Sequence, residues 1–334
     1  MNDARKSGWP HVDLHVVSGK GGTGKTTVAA ALALALASRG KTVLLCEVEG
    51  RQGIAQMFDV PPLPYEERLL AKATEHGHGD VYALAIDAED ALLEYLSMYY
   101  RLGRAGKALD RFGVIDFATT IAPGVRDVLL TGKVYEAAQR NSRNKGARTY
   151  DAIVLDAPPT GRIAQFLNVN NELAGLAKVG PIKSQADTVT TLLRSPRTAV
   201  HLVTVLEEMP VQETIDGVFE LQAARMPVGG VVVNLVRPQD LDEQARAALL
   251  AGTVDEEALT KALKTAGIDA TPALVQSLVA EGRDHAERRR LEDTQRVLVD
   301  SIGVPTYELA LLAGGVDMAG LYELAASLCE QGLA

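Results

Sequence analysis

Cysteine is nearly missing from this chain: Cys46 and Cys329 are the two in 334 residues. Two distant thiols exclude a disulfide scaffold and any C-x-x-C metal site, and they suit a reducing cytoplasm. Aromatic residues make up 4% of the chain, so the core has to be mostly aliphatic. Long hydrophobic runs are also lacking. The longest, Val28 to Ala37, is about half a membrane span and reads as a buried helix. The first ten residues are polar and carry no apolar signal-peptide core. Positive charge is in deficit, with a net charge of −9. That opposes general affinity for nucleic acid or an anionic membrane, because counterion-release binding needs basic clusters. No internal repeat or low-complexity segment occurs. What remains is ordinary for a soluble globular protein: 47% hydrophobic and 23% charged residues.

Against that background one segment stands out, Gly19-Lys20-Gly21-Gly22-Thr23-Gly24-Lys25-Thr26-Thr27. It completes the phosphate-binding pattern G-x-x-x-x-G-K-[ST] in the right context, with a strand at Leu14–Ser18 before it and an alanine- and leucine-rich helix after it. Glycines let backbone N–H groups of Gly21, Gly22, Thr23 and Gly24 converge on phosphate oxygens, and the helix N-terminus adds its positive end. Lys25 is expected to reach the β- and γ-phosphates, Thr26 to ligate Mg²⁺, and Thr27 to open the helix beside them. About 130 residues later, the aliphatic strand Ala152–Asp156 ends in an acid, and such an acid holds Mg²⁺, usually through water. The turn Ala157-Pro158-Pro159-Thr160-Gly161-Arg162 follows, suited to sensing the γ-phosphate.

The remaining pattern alternates strands and helices. Strands are expected at Thr42–Glu47, Val81–Ile86, Ala199–Leu206, Gly230–Val233 and Val304–Leu309. Continuous aliphatic runs such as Val231-Val232-Val233 mark strands buried on both faces. The fold expected is α/β, a doubly wound, mainly parallel sheet in a single domain over residues 1–334, with helical subregions at about 64–141 and 241–301. Arg288-Arg289-Arg290 reads as a solvated helix face. Leu92 to Tyr100 is amphipathic, as either core or groove lining.

Lys20 and the turn after Asp156 carry a family resemblance. A second lysine after the first glycine marks the deviant phosphate-loop group, which includes ArsA, the partition and septum-site ATPases and the nitrogenase iron protein. Asp156-Ala157-Pro158-Pro159-Thr160-Gly161 is similar to the D-T-A-P-T-G switch II of one branch, ArsA and the targeting factor for tail-anchored membrane proteins. Val232-Val233-Asn234 resembles the strand whose Asn reads adenine, and Arg288, Gln295 and Val304-Pro305 resemble the C-terminal helix and the loop over the base. The chain looks most like the bacterial anion-transporting ATPase branch. This implies ATP or ADP and Mg²⁺ as ligands, with Asn234 and Pro305 at the base and Thr26 and Asp156 at the metal. It also implies a dimer, with this chain or a paralogue, in which Lys20 reaches the partner's phosphates. Iron–sulfur and zinc chemistry is not expected, because the matching thiolates are missing.

In one place the chain departs from that family. The D-P-A-H-N switch I, whose Asp positions the attacking water, is replaced by Glu49-Gly50-Arg51-Gln52-Gly53, nine residues before Phe58. Glu49 keeps the charge on an arm one methylene longer, a shift of order 1 Å that can cost about 10²-fold in rate. Lys20, Lys25 and Glu49 are thus the catalytic candidates. The functional expectation is a cytoplasmic, Mg-dependent, ATP-hydrolysing dimeric switch that acts on a protein or membrane-linked effector, without nucleic acid or a membrane anchor of its own. The alternatives are a weakly active ATP-binding assembly module or a positioning ATPase of the partition type.

Overall fold

A computed structural model describes residues 8–73, 77–100, 123–140, 147–168 and 181–334. Five central strands, β1 (Leu14–Gly19), β2 (Val43–Glu47), β4 (Val81–Ala85), β5 (Ala152–Asp156) and β6 (Thr198–Thr204), are joined by β7 (Val228–Val236) and β8 (Thr306–Ala310) in one parallel array. The short strand β3 (Arg68–Ala71) adds antiparallel to β4, and the order is β3-β4-β2-β5-β1-β6-β7-β8. The centre is aliphatic: β1, β2, β5 and β6 are buried at every position. A strand covered on both faces needs no polar alternation.

Helices cover both faces. On one, α1 (Lys25–Ser38), α2 (Gly53–Met57) and α11 (Met318–Gln331) pack on Val17, Val154, Val203 and Val232. Every residue of α1 from Val28 to Ala37 is buried, as a helix that is apolar all round must be. The other face carries α4 (Pro123–Gln139), α5 (Thr160–Leu167), α6 (Pro181–Leu193) and α7 (Glu208–Ala223), packed on Leu14, Val16, Leu155 and Leu202. Three further helices, α8 (Glu243–Ala251), α9 (Glu256–Thr265) and α10 (Pro272–Asp300), lie between β7 and β8 in sequence. Among the described residues, no helix is long and apolar enough to cross a membrane.

The edge strand β8 is closed in an unusual way. The amide of Gln331 both accepts from Glu308 N (2.8 Å) and donates to Glu308 O (2.7 Å), standing in for a neighbouring strand. At the opposite edge, β3 adds an unexpected second strand to the 64–141 region, expected to be helical apart from Val81–Ile86. It has four residues, two of them exposed, too few for an alternating pattern to show. Cys46 is buried in β2 as expected, and burial pushes its thiol pKa well up. In α3 (Ala88–Tyr100), Ala91 and Leu92 are core residues. The side chains of residues 95–100 lie outside the described part, as do residues 121 and 122. Leu129 and Leu130 of α4 are also buried in the core.

The Arg288-Arg289-Arg290 run is not one solvated face. Arg288 and Arg290 are exposed, but Arg289 is buried, paired with Glu292 at 2.8 Å and donating to Arg237 O. Three successive helical residues point about 100° apart, so one of them meets the body of the protein.

Candidate nucleotide site

Parallel strands deliver their C-terminal ends to one rim, and the phosphate loop sits there between β1 and α1. Neighbouring β1 are β5 on one side and β6 on the other, which makes this the point where chain connections diverge and open α/β sheets bind ligands. The loop depends on its glycines. A Cβ on Gly19 would stand 2.2 Å from Val203 O, and one on Gly24 would stand 2.3 Å from Asn234 Nδ2. Gly24 also has φ 86°, in the left-handed region. The Thr23 hydroxyl donates to Lys20 O at 2.9 Å and tightens the loop.

Register sets Asp156 beside Val17 of β1 and Glu47 of β2. The Thr26 hydroxyl donates to Asp156 Oδ2 at 2.7 Å, bringing together the two residues expected at the metal. Asp156 is buried, and its other oxygen, Oδ1, has no hydrogen-bond partner among the described residues. Burial raises its pKa to about 6, against the lowering influence of the Thr26 hydrogen bond and of Lys25; Glu47 and Glu49 raise it further. Lys25 is itself buried at the first position of α1. A hydroxyl and an orphaned carboxylate oxygen form a hard donor set that fits Mg²⁺. Among the described residues there is no cluster of three or more His, Cys, Asp or Glu side chains able to hold a metal.

Beside the loop opens a cleft of about 730 Å³, lined by Lys20 to Thr23, by Leu206 to Pro210 and by Leu235 to Arg237. Arg288, Leu291, Glu292 and Gln295 of α10 form the far wall, with Leu311 after β8. Asn234 is buried and donates to Thr23 O at 2.9 Å, tying the end of β7 to the loop. Immediately after it Leu235 takes φ 58°, and the β7–β8 register shifts between Val233 and Val236. That irregularity turns the strand end toward the cleft.

Pro305 is not brought there. It precedes β8, with its carbonyl accepting from Val231 N, so it lies at the opposite end of the strand from Leu311, about 20 Å along the chain direction. Leu311, at the C-terminal end of β8, occupies the cleft-side position instead. Parallel strands put their N-terminal ends away from the phosphate loop, and a resemblance in sequence order does not record which end is meant.

Glu49 is partly exposed, and its carboxylate lies 3.8 Å from Arg51 Nε. Glu47, which the sequence reading passed over, is the buried acid of this segment. It accepts from the backbone N–H groups of Gly53 and Ile54 at 3.3 Å each and so fixes the start of α2. Gln52, at φ 56°, clamps the same loop by exchanging both amide hydrogen bonds with Leu63. Across the loop, Ser18 donates to Pro158 O at 2.6 Å. Lys20 pairs with Glu213 of α7 at 2.8 Å, and Thr160 donates to the other oxygen of Glu213 at 3.3 Å. Nothing local in the sequence signals Glu213, because both its partners lie far away along the chain.

Comparison with known proteins agrees with this geometry. The anion-transporting ATPase (ArsA) model matches residues 13–194. The chain is 53% identical over 332 residues to ATPase BagA of Mycobacterium tuberculosis, covering 98% of this chain and 96% of that protein. It is 25% identical over 262 residues to ATPase GET3 of Kluyveromyces lactis, covering 68% and 73%. To ATPase get3 of Aspergillus niger it is 30% identical over 173 residues, covering 51% and 46%. With a phosphate loop, a paired threonine and aspartate, and a family match across more than half its length, the chain belongs to the anion-transporting ATPase (ArsA) family.

Proposed function

We propose that this protein binds ATP with Mg²⁺ and hydrolyses it, as a dimeric switch that couples nucleotide state to a protein or membrane-linked effector. The observation that carries the reading is the 2.7 Å Thr26–Asp156 pair at the phosphate loop, with one buried carboxylate oxygen left over. Gly21 to Thr27 would hold the phosphates through backbone N–H groups and the Lys25 ammonium. The Leu235–Arg237 turn forms the wall on which the base would rest, and Asn234, bonded to Thr23 O, holds that turn to the loop. Thr26 and Asp156 would hold Mg²⁺, Asp156 through water; the ion supplies charge neutralisation at the β- and γ-oxygens. Glu49 would orient the attacking water, and Lys20 would reach across to the partner's phosphates, where positive charge lowers the barrier.

A slower variant of the same reading, an ATP-holding assembly module, is favoured by the turn of Glu49 toward Arg51. Single-turnover hydrolysis and calorimetric ATP binding separate the two. Asp156→Asn is expected to lower turnover by at least about 10²-fold, and Glu49→Gln to lower turnover while leaving ATP affinity nearly unchanged. ATP binding that needs neither Mg²⁺ nor Asp156 would defeat the metal assignment. A turnover unchanged by Glu49→Gln would leave the assembly module as the better description.

A further inference from the structure

Glu213 stands where two loops of the site meet. It lies in the second turn of α7, facing the loop that follows β1 and the turn that follows β5. One carboxylate oxygen takes Lys20 Nζ at 2.8 Å, and the other accepts from the Thr160 hydroxyl at 3.3 Å. Thr160 is buried and begins α5, four residues after Asp156. One turn along α7, Gly217 lets the helix approach: a Cβ there would meet Thr160 Cγ2 at 3.4 Å. The Thr160 side of the carboxylate is thus held by close packing, while Lys20 approaches on a flexible four-carbon stem. The backbone of Lys20 is fixed by the N–H and hydroxyl of Thr23, so its ammonium alone is free to swing.

We propose that Glu213 is a latch: it parks Lys20 within its own subunit and ties its release to the turn after β5. The proposal rests on the reading of Lys20 as a contact across a dimer. A lysine held at 2.8 Å by its own chain is unavailable to a partner, so self-association with ATP must break the pair. Both side chains are partly exposed, 29% for Lys20 and 36% for Glu213, so the bond is weak enough to open reversibly. Thr160 makes the opening conditional. Any movement of the residues after Asp156 that withdraws the Thr160 hydroxyl leaves Glu213 less fixed and its hold on Lys20 weaker. Glu213 is therefore a positioning residue with two inputs.

Two measurements on the full-length chain test this. The first is the acetylation rate of Lys20 in nucleotide-free protein with limiting acetic anhydride, read peptide by peptide. Glu213→Gln, which keeps an acceptor for Thr160 but drops the charge, should raise that rate several-fold, and Glu213→Asp should raise it less. The second is the protein concentration at half-maximal self-association in ATP and Mg²⁺. Glu213→Gln should lower it about fivefold, and it should have no such effect in a Lys20→Met background. An unchanged Lys20 reactivity overturns the latch. So does an unchanged midpoint in a protein that does associate with ATP. If wild-type protein never associates with ATP at any concentration, the dimeric reading fails first and the latch falls with it, a result told apart by its presence before any substitution.

Discussion

The helix behind the phosphate loop and the helical arm that ends in the cleft's far wall are built on opposite terms. In α1, ten consecutive residues from Val28 to Ala37 are buried. In α9 none is, and in the 29-residue α10 the buried residues are Val275, Ala286, Arg289, Glu292 and Val299. Leu291, Val297 and Leu298 of α10 are exposed. Ion pairs hold this arm instead: Arg289 with Glu292, Arg237 with Glu292, Arg246 with Asp293, and Arg296 with Glu308. Close packing makes the phosphate side rigid, whereas the far wall is tied to its neighbours by the partly exposed pairs Arg246–Asp293 and Arg296–Glu308, which separate at lower cost. A site that holds phosphates firmly and admits a bulky ligand from one side benefits from that difference, since mobile elements are drawn from the least stable parts of a fold.

The contrast is broken most severely by Leu32→Ala. Leu32 is fully buried within the α1 face of the core, and its truncation should cost about 4 kcal/mol, read from the midpoint of urea unfolding. A loss below about 1 kcal/mol would mean that α1 is less tightly packed than its burial suggests. Glu292→Ala comes next. It strips the buried Arg289 guanidinium of its carboxylate, at about 3 kcal/mol, and hydrogen exchange should rise in α10 while α1 amides stay protected. Equal acceleration in both helices would erase the distinction.

The smallest expected effect is a dependence on acidity in the rigid half. His15 and His201 stack in the core, with Nδ1 and Nε2 3.1 Å apart, between Trp9 and the β1–β6 pair. Burial drives the His201 pKa down to about 4, while burial, then His201 and Lys41, drive His15 well below 6.5. Both are neutral in the fold and take up protons on unfolding. Their contribution is complete above about pH 6.5 and is lost as the pH falls from there toward 4. For His201 alone the loss between pH 7 and pH 5 is roughly 2 kcal/mol. Unfolding midpoints that do not change between those two pH values would sink the assignment.

Local chemistry was readable from the sequence, and long-range pairing was not. The phosphate loop, Asp156 and the aliphatic strands carry their meaning within a few residues, since glycine content, an acid at a strand end and an apolar run each have a local cause. The strand ends shift by one to three residues, most at β7, which extends to Val236 around the Leu235 irregularity. β3 was hidden because a short, half-exposed edge strand has no buried face to advertise. Glu47 escaped because the neighbouring Glu49 sits where the switch aspartate was sought, although only Glu47 turns inward. Glu213, Arg289 and the histidine pair depend on which elements the sheet order brings together, and no spacing along one segment encodes that.

The Gln331 amide on the edge of β8 also guards the sheet against growth. Edge strands are the natural route by which sheets join, and here one such route is already occupied by a side chain that satisfies both backbone groups of Glu308. At the other edge, β3 presents exposed arginine and leucine side chains on a strand too short to template a long ladder. Extension of the sheet from copy to copy is therefore discouraged at both ends.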